Sequence, residues 1–363
     1  MASIVVTSNL LLGATDSGRW DGGNNSTWDE SIRMLESSVD LARETKSQAV
    51  FVVGNLFDSS RPPAEIVIRA MNALSSLPRG VHVYIIDGVR DVSGLKSGHI
   101  SPAKAFLDPA NNKVHVISDP KVVDIKGSKI LCVPHPRRGE EADFSLYDES
   151  DGDIQAVLSA APIEVSQTGE FDDPRDSSLD HSTWSNVRWF ESSDETFFAT
   201  GNSLVSDLPS IGSPFPLTED DASSDHAFTI VTLNDDKTFS TEKVDTDHRE
   251  IVTLDVYSND DAVDLFDWAM NGSDTAPEVI TVRVPLSGPS REVESAVSEL
   301  RDGGVDVKIK RVFPDEPIDG SRSEVLADSN EDAAQAYLQA TFPDDEERQS
   351  RVMSVIRRAM KQQ

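Results

Sequence analysis

One short segment, residues 49–58, constrains the fold of this chain more than any other. It reads Ala-Val-Phe-Val-Val-Gly-Asn-Leu-Phe-Asp, an apolar run that stops at Gly54 and continues into polar side chains. Continuous apolar runs of this length are typical of strands that are buried on both faces of a parallel sheet. In open α/β folds, the side chains that do chemistry follow such strand ends. The segment therefore predicts an α/β fold with a candidate site that begins at Asn55.

A second strand and a helix precede this segment. Residues 3–8 form a β-branched run, and Thr27 followed by Glu30 three residues later has the pattern of a capping box at a helix start. Apolar residues then recur at helical spacing, at Ile32, Leu35, Val39 and Ala42. One helix therefore connects two parallel strands, and the connection is expected to be right-handed.

The segments that follow predict further strands and helices. Pro62 and Pro63 open a predicted second helix with one apolar face, and the run at residues 81–86 predicts a strand. Short runs separated by turn residues predict antiparallel strands of a second sheet at residues 114–117, 122–125 and 130–133. We also predict a helix at residues 154–160, a strand at 162–166 and a closing strand at 227–233.

The pattern of elements restarts near residue 249. Strands are predicted at residues 251–256, 279–284 and 305–312, with helices at 262–270 and 292–300 between them. This βαβαβ order predicts a small α/β domain. An acidic linker at residues 315–331 follows, and the C-terminus is predicted to be helical.

Charge and composition limit the environment and the partners of the chain. Asp and Glu outnumber Lys and Arg by 64 to 33, and the formal net charge of −31 repels nucleic-acid phosphates at long range. A contact with DNA therefore needs a local basic patch or a basic partner, although an acidic binding module that imitates DNA is an alternative. The single cysteine excludes an intramolecular disulfide, and no apolar run has the length of a membrane span. We expect a cytoplasmic protein with no membrane contact.

Five segments resemble the motifs of one enzyme superfamily, in the family's order along the chain. They lie at residues 7–13, 54–58, 87–91, 197–204 and 210–214. The matching motifs of the calcineurin-like metallophosphoesterases, and specifically of their SbcD-type DNA exonuclease branch, are Ser-Asp-x-His-Leu-Gly, Gly-Asp-x-Phe-Asp, Gly-Asn-His-Asp, Leu-Gly-His-x-His and Pro-Gly-Ser-Pro. The chain resembles SbcD-type proteins over nearly its whole length.

The residues that hold metal or do chemistry in that family are replaced here. The mapped positions carry Asn9, Leu11, Asn55, Val89, Arg90, Ser166, Asn202 and Leu204. In the family, carboxylates at the first and second motifs offset the charge of two Mn²⁺ or Mg²⁺ ions, and imidazoles complete the ligand set. Asn9 and Asn55 lack that negative charge, and Arg90 adds a permanent cation. The resemblance, with these replacements, predicts no catalytic residue, no metal ligand and no cofactor.

Apolar side chains are expected to fill the space that the metals would occupy. Leu11, Val89 and Leu204 would pack together, and Arg90 would turn toward a carboxylate or solvent. Two acidic residues that the family pattern retains, Asp58 and Asp91, are implied to shape turns.

One histidine follows a predicted strand end. His135 lies beside Arg137 and Arg138 and is a candidate phosphate contact, although a surface loop is the simpler interpretation.

The resemblance implies an architecture and a function. It implies an α/β fold, with a metallophosphoesterase-like two-sheet sandwich flanked by helices at residues 1–247 and a small α/β cap domain at 248–315. An acidic linker and partner-docking helices occupy residues 316–363. The predicted function is that of a non-catalytic subunit of a DNA-repair or DNA-processing complex, which scaffolds an SbcC-like SMC-type ATPase, forms a homodimer and reaches DNA through the complex. The alternatives are an active metal-dependent exonuclease or phosphoesterase with atypical ligands, and an acidic binding module or DNA mimic.

The C-terminal segment carries the predicted partner surface. Its docking residues are Val352, Val355, Ile356, Met360, Arg357 and Arg358. The apolar members recur at helical spacing, and Arg351 and Lys361 add further positive charge. The family places its ATPase-docking helices after the cap, so we expect this stripe to bind the ATPase; its packing on the chain's own core is the alternative.

Overall fold

A computed structural model describes most of the N-terminal half of the chain and parts of the remainder. The described residues are 1–15, 20–21, 24–75, 77–95, 100–108, 111–137, 143–146, 154–161, 163–166, 188–191, 197–200, 211–217, 225–256, 279–285, 289–302 and 305–312. The chain divides into two compact units, Met1–Glu250 and Ile251–Gln363. The domain boundary expected after residue 247 lies three residues before this division.

A six-stranded sheet forms the centre of the first unit. Its strands are β1 (Ala2–Thr7), β4 (Ala49–Val53), β5 (His82–Ile86), β6 (Val114–Ile117), β13 (Ala227–Leu233) and β14 (Phe239–Asp245). They lie in the order β14-β13-β1-β4-β5-β6. The strands β1, β4, β5 and β6 are mutually parallel, and β13 pairs with β1 and with β14 in antiparallel fashion. Every residue of β4 is buried, which agrees with its uninterrupted apolar sequence.

Helices cover one face of this sheet. They are α1 (Ser26–Glu44), α2 (Ala64–Ala73) and a short π-helix (Ala103–Leu107); the four-residue helix α3 (Val89–Val92) directly follows β5. Alternate strand residues such as Val5, Val50 and Val83 point to this face, where they share a core with Leu35 and Ile66 of the helices. The period of two along each strand thus separates two cores on opposite faces of one sheet.

A second sheet packs on the other face. It contains β7 (Lys121–Ile125), β8 (Ser128–Val133), β9 (Ile154–Ser159) and β12 (Phe197–Thr200), in the order β12-β9-β8-β7. The strands β8, β9 and β12 are parallel, and β7 is antiparallel to β8. Phe51 and Ile4 of the first sheet pack with Leu158, Phe197 and other residues of the second in one buried cluster. The first unit therefore has a two-sheet sandwich with helices on its first sheet.

The free cysteine lies inside this sandwich. Cys132 on β8 is completely buried in the cluster between the two sheets. Burial raises the pKa of its thiol. The thiolate, which is the reactive form of cysteine, is therefore disfavoured at this position.

The described part of the second unit is a small α/β layer. Three strands, β15 (Ile251–Asp255), β16 (Val279–Pro285) and β17 (Asp306–Val312), form a parallel sheet in sequence order. A helix, α4 (Arg291–Asp302), packs Val293, Val297 and Leu300 on this sheet. The predicted strands and the predicted helix at 292–300 are present, whereas the predicted helix at 262–270 lies outside the described residues.

Three local predictions were wrong. Residues 154–160, predicted as a helix, contain β9, which is buried between β8 and β12 in a parallel sheet. The segment at 114–117, predicted as an antiparallel strand of the second sheet, is β6 of the first sheet, because the π-helix crossover makes it parallel to β5. The helix α1 begins earlier than predicted, since Asn25 is its N-cap and accepts a hydrogen bond from the N–H of Thr27.

Two further strand pairs are small. Residues Trp20–Asp21 (β2) pair with Asn24–Asn25 (β3), and β10 (Ile163–Ser166) pairs in parallel with β11 (Arg188–Glu191). Within the part of the chain that the structure describes, no helix combines the length and apolar character needed to cross a membrane.

Candidate functional site

The carboxyl ends of strands from both sheets meet at one edge of the sandwich. The strands β1, β4 and β5 end side by side because they are parallel. At the end of β8 in the second sheet, the N–H of His135 donates to the carbonyl oxygen of Asp87 at 2.8 Å. The N–H of Ala160, just after β9, donates to Val133 at 2.8 Å. The loops that follow both sheets are therefore joined at the edge where the sequence places its candidate site.

Two asparagines from the first and second motifs bind each other at this edge. The Nδ2 of Asn55 donates to the Oδ1 of Asn9 at 2.7 Å, and the Oδ1 of Asn55 accepts the backbone N–H of Arg90 at 2.9 Å. Both asparagines have a φ of 50°, in the left-handed region that Asn tolerates better than most residues. The side-chain oxygen and nitrogen of Asn55 are thus both engaged by protein groups.

Backbone hydrogen bonds hold the same two loops together. The N–H of Asn9 donates to Gly54 at 3.3 Å, and the N–H of Leu11 donates to Asn55 at 3.0 Å. The hydroxyl of Ser213 donates to the carbonyl oxygen of Asn9 at 3.2 Å. This last contact brings the segment around residues 210–214, the fifth motif of the resemblance, to the first motif.

The third motif contributes a glycine that allows close approach. A Cβ on Gly88 would lie 2.0 Å from the backbone nitrogen of Asn55 and 2.5 Å from its Oδ1. Only a residue without a side chain fits between these two loops at that distance. The glycine therefore lets the backbone after β5 contact the backbone after β4.

Asp91 fixes the shape of both loops. Its Oδ1 accepts the N–H of Phe57 at 2.8 Å, and its Oδ2 accepts the N–H groups of Gly88 at 2.8 Å and Leu56 at 3.2 Å. Burial, together with the nearby charge of Asp87, raises the pKa of Asp91 to about 7, although the three N–H donors act in the opposite direction. Asp91 thus shapes the turns, which is the role implied by the resemblance.

Asp87 is a second buried carboxyl group at the end of β5. It accepts the hydroxyl groups of Ser101 at 2.8 Å and Ser118 at 2.7 Å. Burial raises its pKa, whereas these hydroxyls and the charges of Arg137 and Lys104 lower it. Asp87 was not among the predicted site residues, although its position directly before Gly88 in the third motif was an available signal.

Arg90 lies on the open side of the site. Its guanidinium forms an ion pair with Asp58, the retained acidic residue of the second motif. Arg90 was predicted to turn toward a carboxylate or solvent, and its half-exposed side chain does both. Leu11 is buried and Val89 is half-buried, but the predicted contact of these two side chains with Leu204 stays a prediction, because Leu204 lies outside the described residues.

His135 contacts the protein backbone. Its Nδ1 lies 2.9 Å from the carbonyl oxygen of Pro136, and burial lowers the pKa of its imidazole. The pattern predicted a loop position, and the loop is tied to the end of β5 by the hydrogen bond to Asp87. Arg138 lies outside the described residues.

The remaining site predictions concern other parts of the chain. Ser166 ends β10, which pairs with β11 and belongs to neither large sheet. Asn202 and the C-terminal docking residues lie outside the described residues. The structure therefore brings together the positions of the first three motifs, from Asn9 to Arg90.

The donor set at this edge consists of amides, backbone groups and buried carboxyl groups. In the described ranges, no group of three or more His, Cys, Asp or Glu side chains is arranged so that it could hold a metal ion. Asn9 and Asn55 offer neutral oxygens, and each of these oxygens already accepts a hydrogen bond from protein.

The comparisons with known proteins that follow give distant similarities. No protein-family model matches the sequence, and no curated protein matches it. Among solved structures, a dimetal phosphatase from Danio rerio is similar with a TM-score of 0.25 and 12% identity, over 36% of this chain and 43% of that chain. A protein of unknown function from Aquifex aeolicus is similar with a TM-score of 0.23 and 10% identity, over 53% of this chain and 89% of that chain. The chain spans less than half the length of the phosphatase.

Proposed function

We propose that this protein is a non-catalytic, SbcD-like subunit with a metallophosphoesterase-like fold, and that it scaffolds a DNA-repair or DNA-processing complex. The observation that carries the proposal is the direct hydrogen bond between Asn55 and Asn9, with 2.7 Å between Nδ2 and Oδ1. In the family, these two positions carry carboxylates that hold metal ions. Here the two side chains bind each other.

The charge at this edge does not fit two divalent ions. Two such ions held about 3.5 to 4 Å apart repel each other, so a two-metal site needs anionic ligands to offset their charge. Asn9 and Asn55 are neutral, and the Oδ1 of Asn55 already accepts the backbone N–H of Arg90 at 2.9 Å. Asp58 is the retained carboxylate of the second motif, and it is paired with the guanidinium of Arg90. We therefore infer that no phosphoester chemistry proceeds through metals at this edge.

The groups that build the loops are kept while the ligands are lost. Gly88 permits the close approach of two loops, and Asp91 binds three backbone N–H groups across them. The presence of Gly88 and Asp91 without the metal ligands supports a function in which the shape of the fold is used for binding. A scaffold subunit has that requirement, because a partner recognises surfaces that a rigid core positions.

The proposed partner is an SbcC-like coiled-coil ATPase, and DNA is reached through the complex. We propose that the apolar stripe of residues 352–360 docks on that ATPase and that Arg357 and Arg358 pair with its acidic residues. A homodimer in the cytoplasm is the proposed assembly. Because the chain carries a net charge of −31, strong DNA binding by the isolated chain is not expected.

A nuclease assay tests the loss of chemistry. The purified chain should not degrade linear or hairpin DNA with Mn²⁺ or Mg²⁺. The double variant Asn9→Asp with Asn55→Asp should also be inactive, because the imidazoles of the other motifs remain absent. Metal-dependent cleavage that co-purifies with the chain and is abolished by Asn9→Ala would support the alternative, an active phosphoesterase with atypical ligands.

Co-purification tests the scaffold role separately. The chain should form a complex with a coiled-coil ATPase of the same organism, and Ile356→Asp should weaken that complex without changing the free energy of unfolding. Unfolding of the Ile356→Asp variant would instead assign the stripe to the chain's own core. Inhibition of a DNA-binding protein by the isolated chain would favour the DNA-mimic alternative.

A further inference from the structure

Two histidines meet near the amino ends of neighbouring strands in the first sheet. His82 is the first residue of β5, and His115 is the second residue of β6. The Nδ1 of His82 lies 3.0 Å from the Nε2 of His115, although the two residues are 33 positions apart in the sequence. The parallel pairing of β5 with β6 brings them together. The candidate functional site follows the carboxyl ends of the strands, so the histidine pair is a separate location.

Aromatic side chains support the two imidazoles. Tyr84 is the direct partner of His115 in the strand register, and their rings stack with centroids 4.8 Å apart. Tyr84 also stacks on Phe51, which is completely buried, at 4.8 Å. The two histidines and Tyr84 are themselves half-buried. The rings therefore continue from the core between the sheets to a position that solvent and ions can reach.

The spacing of the two nitrogens suits one metal ion. At 3.0 Å, one nitrogen donates a hydrogen and the other accepts it with a lone pair, so at least one ring is neutral. Metal–imidazole bonds are about 2.0 to 2.1 Å long, so two nitrogens at a right angle on one ion lie about 2.9 Å apart. Both nitrogens can therefore bind an ion that replaces the shared hydrogen, if the rings turn toward it, without separation of the strands.

The charges that act on the pair partly cancel. Burial and the charge of His82 lower the pKa of His115, Lys121 and Lys104 act in the same direction, and Asp108 opposes them. Lys104 forms an ion pair with Asp108 at 3.0 Å. Lys121 is exposed, so solvent screens its repulsion of a cation. The surroundings thus favour neutral imidazole, which is the form that binds metals.

We propose that His82 and His115 together bind one late first-row divalent metal ion, with Cu²⁺ held more tightly than Ni²⁺ or Zn²⁺. Imidazole suits these three ions, and their affinities for nitrogen ligands follow this order. Water completes the coordination, since the described residues contain no group of three or more His, Cys, Asp or Glu side chains arranged to hold a metal. Neither histidine is among the family positions at which the resemblance predicts no metal ligand.

The ion has a structural consequence. The strand β6 is at the edge of the first sheet, and the ion links it to β5 through two side chains. An ion that binds the folded chain and not the unfolded chain stabilises the fold by mass action. This role goes beyond the proposed scaffold function, and it requires neither the ATPase nor DNA.

Calorimetric titration of the full-length chain with CuCl₂ tests the site. An excess of Mg²⁺ occupies the surface carboxylates, because Mg²⁺ prefers oxygen ligands. We expect one Cu²⁺ per chain at this pair. His82→Gln and His115→Gln should each raise the dissociation constant at least about tenfold, since loss of even an outer partner of a ligating imidazole costs that much. The double variant should bind within about threefold of the weaker single variant, because both side chains act at one site.

A second histidine pair in the chain provides a matched control. The rings of His226 and His248 meet edge to face, with centroids 4.9 Å apart. The Nδ1 of His248 lies 3.0 Å from the carbonyl oxygen of Thr246. His248→Gln should therefore leave the dissociation constant for Cu²⁺ unchanged.

Electron paramagnetic resonance of the Cu²⁺-loaded chain counts the ligands. The wild-type spectrum should show coupling to two imidazole nitrogens, and each single variant at the pair should show fewer. A wild-type chain that binds no Cu²⁺, or whose spectrum shows one imidazole nitrogen, overturns the proposal, and this result stands even where a variant unfolds. Equal dissociation constants in the wild type and both single variants overturn it too, as does an equal loss in His248→Gln.

Discussion

Two buried carboxylates of this protein are stabilised in different ways. Asp91, at the strand edge, accepts three backbone N–H groups, and among the described residues no lysine or arginine pairs with it. Glu30, on α1, binds Arg249 from the other end of the first unit: its Oε2 lies 2.6 Å from the Nε of Arg249, and its Oε1 accepts the N–H of Arg249 at 2.8 Å. Both members of this ion pair are at least 95% buried, with 5% and 3% of their side chains exposed.

The comparison shows what each kind of partner can do. Backbone dipoles hold Asp91 in place, but they leave its pKa raised to about 7, so its charge changes within the physiological range. A guanidinium offers a full charge and several donors, so it fixes the ionised form and joins distant parts of the chain. The charge of Asp91 is therefore sensitive to pH, whereas the Glu30–Arg249 pair depends on its cation.

The largest effect is expected where that cation is removed. Arg249→Met removes the buried partner of Glu30 and leaves the half-exposed Arg33, at 3.6 Å, as a more distant cation. It should lower the free energy of unfolding by about 3 kcal/mol, the lower end of the range for breaking a buried ion pair. Arg43→Met, which removes the exposed partner of Asp40, should cost less than about 1 kcal/mol. Urea denaturation of both variants measures the difference. Adding Glu30→Gln to Arg249→Met should recover most of the loss, and an unchanged loss would show that the arginine acts through packing alone.

Gly88→Ala should be the next most harmful change. Its Cβ would lie 2.0 Å from a backbone atom, so the clash cannot be relieved by a side-chain rotation. We expect a loss of about 3 kcal/mol, at the upper end of the range for overpacking. In Gly212→Ala, the nearest atom is 3.5 Å from the new Cβ, and stability should hardly change. Equal effects in the two variants would contradict the close approach of the loops.

Asp91 predicts a dependence of stability on pH. The pKa of its side chain is about 7 in the folded chain, above the usual value of 3.8, so the folded state binds more protons than the unfolded state between these values. Stability from this group is complete below about pH 4 and is lost as the pH rises through 7, with a slope of up to about 1.4 kcal/mol per pH unit. The free energy of unfolding, measured by denaturation at pH 5, 6, 7 and 8, should fall with this slope in the wild type. In Asp91→Asn this contribution to the pH dependence should be absent. The same pH dependence in both proteins would mean that Asp91 is ionised throughout.

The smallest effect is expected at Arg90. Its ion pair with Asp58 is half exposed, so Arg90→Ala should cost about 1 kcal/mol or less. A double-mutant cycle with Asp58→Ala measures the coupling between the two side chains. A coupling energy above about 3 kcal/mol would equal that expected for the buried Glu30–Arg249 pair. The exposed pair at the strand edge and the buried pair would then not differ in strength.

The local patterns predicted much of the first unit. The apolar runs before Asn9, Asn55 and Gly88 are the parallel strands β1, β4 and β5, and these three residues meet at the shared edge, as residues at strand ends do in α/β folds. Asp91 as a turn-shaping residue followed from the family resemblance. These features depend on residues that are close in sequence or on one repeated strand arrangement.

The features that sequence could not predict depend on distant contacts. Residues 154–159 contain helix-forming Ala, Leu and Gln, but burial between two strands imposes the extended conformation of β9. Glu30 has the position of a capping-box residue, yet its carboxylate binds Arg249, which is 219 residues away.

Cys132 gives this fold a built-in chemical reporter. The thiol is completely buried between the two sheets, and burial favours its unreactive protonated form. A thiol reagent added to the folded chain can therefore react only when the sandwich opens. Because the sequence contains a single cysteine, the labelling rate under native conditions gives the opening free energy of this one interface without any engineered probe. The same measurement follows every variant described above, at the same atom.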